Sequence, residues 1–273
     1  MKFVKKISVK VCAFAIIFFA LITNAQQSKE IKKTFTAIKP LPRDLEMQLA
    51  QSALPPHLRD SASVYILNPE KGFELARKGT NGFSCFVART GDDAMRGKWP
   101  LKDYRDDILY PISFDEAGVN AQMKLFFDIA EMQAKGMAPQ QLKNLIQKRY
   151  KENYYKPPAK AGVSYMLSPI LRTYINPDEN DSVANANNPH IMYYAPNVSN
   201  QDLGGTTPSF RSAYPFIILQ GPHGYSIQAI GTEERASINK TYESMLAQLC
   251  QLNSKWCISQ ADLDGPAPMH HHY

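Results

Sequence analysis

Apolar and polar positions alternate most regularly in residues 63–90, a stretch that predicts three strands joined by two tight turns. The first strand is the β-branched and aromatic run of residues 64–67, which ends at the Pro and Gly of residues 68–72. Asn81-Gly82 predicts a type I′ hairpin between the next two strands, because that turn needs positive φ at both central residues. The hairpin would pair Thr80 with Phe83, Lys78 with Cys85, Ala76 with Val87 and Glu74 with Arg89. We therefore expect Cys85 inside the sheet, as a core thiol or as the wall of a site.

Helical periodicity marks four further segments. Residues 43–54 carry a short apolar stripe that stops at two prolines. Ser113-x-x-Glu116 has the spacing of a capping box and predicts one helix over residues 114–135, ended by Gly136. Pro139 suits the first position of the next helix, and Thr232 is the expected N-cap of one long final helix.

Strands are also predicted at residues 161–167 and 190–195, with a second hairpin of residues 215–220 and 225–230 around Gly221-Pro222-His223-Gly224. Residues 91–111 form a long, irregular connection between these patterns. The order of elements predicts an α+β fold, with an antiparallel β-sheet built from hairpins and helices packed on one face. We assign residues 41–258 to a single domain, although the length also permits two.

The N-terminal residues 1–25 have the pattern of a secretory signal peptide. A lysine-rich start precedes an apolar run of residues 11–22, which is too short to span a bilayer, and Thr23-Asn24-Ala25 is a small-residue cleavage site. Cleavage after Ala25 would give a periplasmic or secreted protein. Residues 26–40 are expected to be a flexible lead-in, and residues 259–273 a flexible tail.

Removal of the signal segment changes the interpretation of charge. The whole chain carries a net charge of +6, and four of its lysines lie in the signal, so the exported protein carries +2. A mixed charge of this size gives no reason to expect a nucleic-acid partner. We find no later run that is long and apolar enough for a transmembrane anchor, so the expected partner is a small molecule or a protein.

Candidate chemistry rests on few side chains. His190 and His223 each follow a proline at the edge of a predicted strand, where they could bind a metal or act as a general base. The simpler interpretation is structural, with His223 at the tip of a turn and His190 bonded to the neighbouring loop. Cys85 opposite Lys78 could be a nucleophile or a buried thiol.

Three other patterns in the sequence could carry function. Asp178, Asn180 and Ser182 alternate as calcium ligands can, but the glycine and glutamate of an EF-hand loop are missing. The histidine run of residues 270–272 could bind a metal or be incidental. Cys250 and Cys257 are close enough in sequence to form a disulfide in an oxidising compartment. Nucleotide-binding glycine patterns are missing from the sequence, which therefore assigns no cofactor.

Four strings occur in a fixed order behind the signal peptide: GTNGFSCFV, SYMLSP, HIMYYAPN and GPHGY. In their sequence and order these strings resemble an uncharacterised family of exported bacterial proteins, over residues 54–230. The resemblance implies one fold and carries no activity with it.

Two functions are therefore compared. The first is a periplasmic ligand- or partner-binding domain, with binding residues Trp99, Tyr104, Tyr193 and Asn197, in which residues 91–111 meet residues 190–197 and 221–224. The second is a hydrolytic enzyme, with or without a metal, that uses His190 and His223 with Cys85 nearby.

Overall fold

The computed structural model describes residues 38–90, 104–175, 182–205, 209 and 214–264. Its helices are α1 (Arg43–Ser52), α2 (Pro56–Arg59), α3 (Glu116–Val119), α4 (Met123–Ala134), α5 (Pro139–Lys151), α6 (Thr232–Thr241), α7 (Glu243–Leu252) and α8 (Gln260–Asp264), with a 3₁₀ helix at Ser254–Trp256. Its strands are β1 (Ser63–Asn68), β2 (Gly72–Arg77), β3 (Ser84–Ala88), β4 (Tyr110–Phe114), β5 (Val163–Met166), β6 (Leu171–Tyr174), β7 (Val183–Ala186), β8 (His190–Tyr194), β9 (Phe216–Leu219) and β10 (Tyr225–Ala229). The α+β class predicted from the sequence is confirmed.

The strands form two four-stranded sheets and one small pair. The first sheet has the order β2-β1-β3-β4, the second has the order β5-β8-β10-β9, and β6 pairs with β7. All strand pairs are antiparallel except β1 and β3, which run parallel at Ser63–Ser84 and Val64–Cys85. The β9–β10 hairpin occurs where the sequence predicts it.

The two large sheets meet edge to edge at β4 and β5. The Asp115 N–H donates to the Val163 carbonyl at 3.2 Å, just beyond the end of β4. The Ser113 hydroxyl donates to the Tyr165 carbonyl at 3.1 Å and accepts from the Tyr165 N–H at 3.2 Å. Side-chain hydrogen bonds thereby replace part of a regular backbone ladder between β4 and β5. These two edge strands are protected from pairing with another chain.

Helices cover both faces of the first sheet, whereas a single helical layer was expected. Phe86 points to one side and contacts Phe126 of α4, with ring centroids 5.7 Å apart. Cys85 and Val87 point to the other side, into a cluster with Leu49 of α1. Successive residues of a strand face opposite ways, so an apolar run such as β3 needs a cover on each side.

The predicted hairpin between β2 and β3 is wrong, because β1 lies between these strands. The register Lys78–Cys85 and its companions are therefore not formed; Cys85 pairs with Val64 and Ser113. Asn81 is used differently: its side chain donates to the Leu58 carbonyl at 2.9 Å and accepts from the Phe83 N–H at 3.0 Å. The Asn81-Gly82 turn, which precedes β3, is thus hydrogen-bonded to Leu58 in the segment before β1.

Two predicted helices are divided. Asp115, not Ser113, caps a short α3 by accepting from the Gly118 N–H at 2.9 Å, and the long helix begins only at α4. Ser113 cannot cap a helix because its hydroxyl lies in the contact between the sheets. Near the C-terminus, Gly231 is the N-cap instead of Thr232, and α6 and α7 are separated at Tyr242, whose φ is −109°.

Other predictions agree with the structure. Helix α1 ends before the two prolines, and α5 begins at Pro139. Gly136 has φ of 76° and ends α4 while the Met137 N–H donates back to the Met132 carbonyl at 3.0 Å, which is the C-terminal pattern that favours glycine. Within the described ranges, none of the helices has the length and apolar character needed to cross a membrane.

Candidate functional site

The two candidate histidines are not brought together. His190 lies opposite Ala229 in the β8–β10 ladder, whereas Tyr225, two residues after His223, lies opposite Tyr194. His190 and Tyr194 are the two ends of β8. They lie about 13 Å apart, because a strand rises by about 3.3 Å per residue. A shared metal or catalytic site of His190 and His223 is therefore ruled out by the strand register.

Each histidine has its own structural environment. His190 is buried, and its Nδ1 lies 2.7 Å from the Asn188 carbonyl oxygen. The His223 ring packs edge-on against Tyr150 of α5, with centroids 5.2 Å apart, and burial lowers its pKa. Among the residues that the structure describes, no three His, Cys, Asp or Glu side chains converge as metal ligands would.

Cys85 is a core residue. Its side chain is fully buried in β3, and burial raises the pKa of its thiol to about 12, while the charge of Arg77 opposes the shift. Lys78 is not its partner, because β1 separates the two strands. A buried thiol that stays protonated at neutral pH is a poor nucleophile, so Cys85 fits the core-thiol alternative better than the nucleophile alternative.

The other candidate residues are scattered. The Tyr104 hydroxyl donates to the Met137 carbonyl just before α5, whereas His223 contacts Tyr150 near the end of that helix. These two points are about 20 Å apart at about 1.5 Å per residue. Residues 190–197 and 221–224 do meet, since the Asn197 N–H donates to the Gly221 carbonyl at 2.8 Å. Most of the third segment, residues 91–103, lies outside the described residues, so the junction of all three segments stays a prediction.

Several candidates lie outside the described residues: Trp99, Asp178, Asn180 and the histidines of residues 270–272. Asn197 is exposed and has φ of 61°, a conformation that its turn requires.

The sulfurs of Cys250 and Cys257 are bonded to each other, which links α7 to the residue that follows the 3₁₀ helix.

Tyr193 belongs to a group of side chains on the outer side of the second sheet. Directly opposite residues share a face, and the registers pair Tyr193 with Val163, and Ile191 with both Tyr165 and Gln228. We call this surface, together with the adjacent Phe83, the tyrosine face. Its members are Phe83, Val163, Tyr165, Ile191, Tyr193 and Gln228.

The opposite side of the same strands is buried. Met166, Met192 and Ile227 point inward and join the main core cluster. Because side chains alternate along a strand, this inward packing fixes the tyrosine face outward. The chain therefore positions these rings through the burial of their neighbours.

The tyrosine face is solvent-accessible, and three of its six members are aromatic. Tyr193 is 40% exposed, and the other five members are half-buried. Phe83 and Tyr165 lie with their ring centroids 5.9 Å apart, and both pack against the cluster beneath α1 and α7. The Tyr193 hydroxyl lies 3.5 Å from Gln228 Oε1, a long contact. The helical layer thus borders the face on one side.

The hydroxyl of Tyr165 lies in a partly buried environment close to Tyr193 and Asp115. The pKa of Tyr165 is raised, first by burial and then by the proximity of Tyr193 and Asp115. The Tyr165 phenol therefore stays protonated at neutral pH. Each of the two phenol hydroxyls can donate one hydrogen bond and accept others. The face offers rings, an amide and two hydroxyls to a ligand.

The sequence pointed to Tyr193 but not to its neighbours. The alternation Val163-x-Tyr165 and Ile191-x-Tyr193 was available as a signal, because it places an aliphatic and an aromatic residue on one face of each strand. The alternation does not show that β5 pairs with β8, whose first residues, Val163 and His190, are 27 positions apart in the sequence.

Comparison of the chain with family models, with curated proteins and with solved structures gave no match in any of the three.

Proposed function

We propose that this chain is an exported ligand-binding domain whose site is the tyrosine face. The observation that carries the proposal is the exposure of Tyr193 beside Tyr165 on a sheet face whose reverse side is core. Aromatic side chains with a polar tip are the usual energetic anchors of binding surfaces. The signal-peptide pattern of residues 1–25 supports export to the periplasm or beyond.

The size of the face favours a small ligand over a protein partner. Strands β5, β8 and β10 together span about 10 Å, and two residue layers along each strand span about 10 Å more, so the face covers about 100–200 Å². A stable protein interface buries about 800 Å² per partner. The tyrosine face alone is several times too small for that role.

The chemistry of the face favours an uncharged ligand. Its six members include no ionisable side chain other than the two phenols. A charged ligand would lose hydration here without meeting an opposite charge. A neutral sugar fits better, since its C–H surface can lie on a ring while its hydroxyls bond to the phenols and to Gln228. We therefore propose a neutral oligosaccharide as the ligand class.

The candidate catalytic groups of the hydrolase alternative do not lie together. His190 and His223 lie at opposite ends of one strand pair, and Cys85 is a buried, protonated thiol. No described observation favours it over ligand binding.

Isothermal titration of the purified protein with maltotriose, cellotriose and chitotriose tests the proposal. We expect saturable binding of at least one trisaccharide, and Tyr193→Ala should weaken it by about tenfold, as expected for the loss of one ring anchor. Tyr193→Phe keeps the ring and should retain most of the affinity.

Tyr214→Ala is the matched control, because Tyr214 is 75% exposed and is not part of the face. An equal loss of affinity in Tyr193→Ala and Tyr214→Ala would reject the site. Absence of binding for all three sugars at millimolar concentration would reject the ligand class.

A further inference from the structure

A cavity lies where α1, the end of α2 and the junction of α6 with α7 meet. Its volume of about 420 Å³ lies within the range of about 300–1,000 Å³ that small-molecule sites occupy. Asp44, Gln48 and Gln51 line it from one face of α1, because residues three and four apart lie together on a helix. Arg59 and Asp60 line it from the end of α2. Polar side chains from separate parts of the chain thus converge on one space.

The Arg59 guanidinium is fixed on one side and free on the other. Its Nε donates to the Leu54 carbonyl at 2.9 Å, and its Cζ lies 5.2 Å from the ring centroid of Tyr242. Tyr242 also lines the cavity and is 5% exposed, so its ring is a firm support. Nη1 and Nη2 donate to none of the described residues, and they form the end-on edge of the group, which suits both oxygens of one carboxylate. Arg59 can therefore bind a carboxylate that enters the cavity.

Two carboxylates line the same cavity without a cation bound to them. Asp44 and Asp60 are exposed, and neither carboxylate forms an ion pair or a hydrogen bond with another residue of the described ranges. Arg59 is the one basic side chain among the described residues that line the cavity. This lining thus carries one positive and two negative charges, and each of them can still take a partner of opposite sign.

We infer that this cavity binds a basic amino acid, L-arginine or L-lysine. Such a ligand carries one carboxylate and two cations, which match the one guanidinium and the two aspartates. A neutral amino acid would leave one aspartate unpaired, and a dicarboxylic acid would bring a second negative charge to Asp44 and Asp60. The half-buried Met47 offers an apolar contact for the methylene stem of the ligand. This site shares no residue with the tyrosine face and does not rest on the proposed sugar binding.

Isothermal titration of the purified protein with L-arginine and with agmatine tests the inference. Agmatine keeps both cations of L-arginine but lacks the carboxylate. We expect saturable binding of L-arginine with a Kd below about 1 mM. Agmatine should bind about tenfold more weakly, because it leaves Arg59 without a charged partner. The comparison uses the unaltered protein, so it does not depend on whether a variant folds.

Asp44→Asn and Asp60→Asn should each weaken L-arginine binding by about two- to fivefold, because each removes one charge that a ligand cation meets near the surface. Glu233→Gln is the matched control. Glu233 is an exposed acidic residue in the first turn of α6, as Asp44 is in the first turn of α1, and it does not line the cavity. Its L-arginine affinity should equal that of the unaltered protein.

Arg59→Gln should remove the preference for L-arginine over agmatine, and the agmatine comparison on the unaltered protein decides the question if this variant does not fold. Three results would overturn the inference. They are the absence of saturable L-arginine binding at millimolar concentration, agmatine that binds as tightly as L-arginine, and equal affinities in Asp44→Asn and Glu233→Gln.

Discussion

The hydroxyl of Tyr194 donates to Oδ1 of Asp115 at 3.1 Å, across the junction of the two sheets. Oδ2 of the same carboxylate accepts from the Val163 N–H at 2.9 Å, and Oδ1 also accepts from the Gly118 N–H that begins α3. One aspartate therefore ties together the end of the first sheet, the start of the second and a helix. This tie sets the register of β5 on β8, and with it the tyrosine face.

The close packing at this tie predicts a large cost for a methyl group at Gly162. A Cβ there would lie 2.2 Å from Asp115 Oδ2 and 2.9 Å from Tyr194 Cε2. Gly162→Ala should lower the free energy of unfolding by about 1–3 kcal/mol, because it forces apart groups that are already bonded. Urea denaturation measures the change. Gly231→Ala is the control, since a Cβ there meets no atom within 4 Å, and equal costs in both variants would contradict the tie.

Glu46 predicts how stability depends on pH. Burial raises its pKa from the ordinary 4.5 to about 7 in the folded protein, so the folded state binds more protons than the unfolded state in this window. Its contribution to stability is therefore complete below pH 4.5 and is lost as the pH rises through about 7. The total change is on the order of 3 kcal/mol.

Glu46→Gln should remove this dependence, because glutamine can still accept from the Leu67 N–H, 2.8 Å away, but does not ionise. The variant should gain on the unaltered protein as the pH rises from 5 to 8, in urea unfolding at each pH. The exposed Glu70→Gln serves as the control and should show no such gain. Parallel pH profiles for Glu46→Gln and the unaltered protein would disprove the assignment.

The thiols give a third prediction. Cys85 is buried with a pKa raised to about 12, and Cys250 and Cys257 are bonded to each other, so native protein without residues 1–25 should not react with iodoacetamide at pH 8. Denaturation without reductant should expose one thiol, and reduction should expose three. Mass spectrometry counts the labels. Three labels before reduction would exclude the disulfide.

Export predicts the N-terminus of the mature protein. Cleavage after Ala25 leaves Gln26 as the first residue. Mass spectrometry of the protein isolated from the periplasm or medium of its native host should find this end. A mature protein that still begins at Met1 would contradict the signal-peptide assignment.

Local signals predicted local structure well. The β9–β10 hairpin follows from a turn at residues 221–224, and α5 follows from Pro139 and its apolar stripe. The β2–β3 hairpin failed because the Asn81 side chain bonds to Leu58, and because β1 pairs in parallel with β3. The strand pattern shows which residues are buried but not which strand lies beside which.

The candidate site was predicted less well for the same reason. Tyr193 was identified by its type and position, whereas Tyr165 becomes its neighbour through the pairing of β5 with β8. Phe83 reaches Tyr165 through the meeting of β4 with β5. The contact of Arg89 with Trp256 was not predicted either, because it joins distant parts of the chain. Such contacts leave no periodic trace in the sequence.

The most direct test of the tyrosine face is a nuclear magnetic resonance titration of the ring signals of selectively labelled tyrosines. Signals are assigned by single Tyr→Phe variants, and the trisaccharide that binds in calorimetry is added to saturation. We predict that the Tyr193 and Tyr165 rings shift together, while the exposed Tyr214 and the buried Tyr242 do not. Shifts that leave Tyr193 unchanged and concentrate at Tyr154 or Tyr214 would contradict the proposed site.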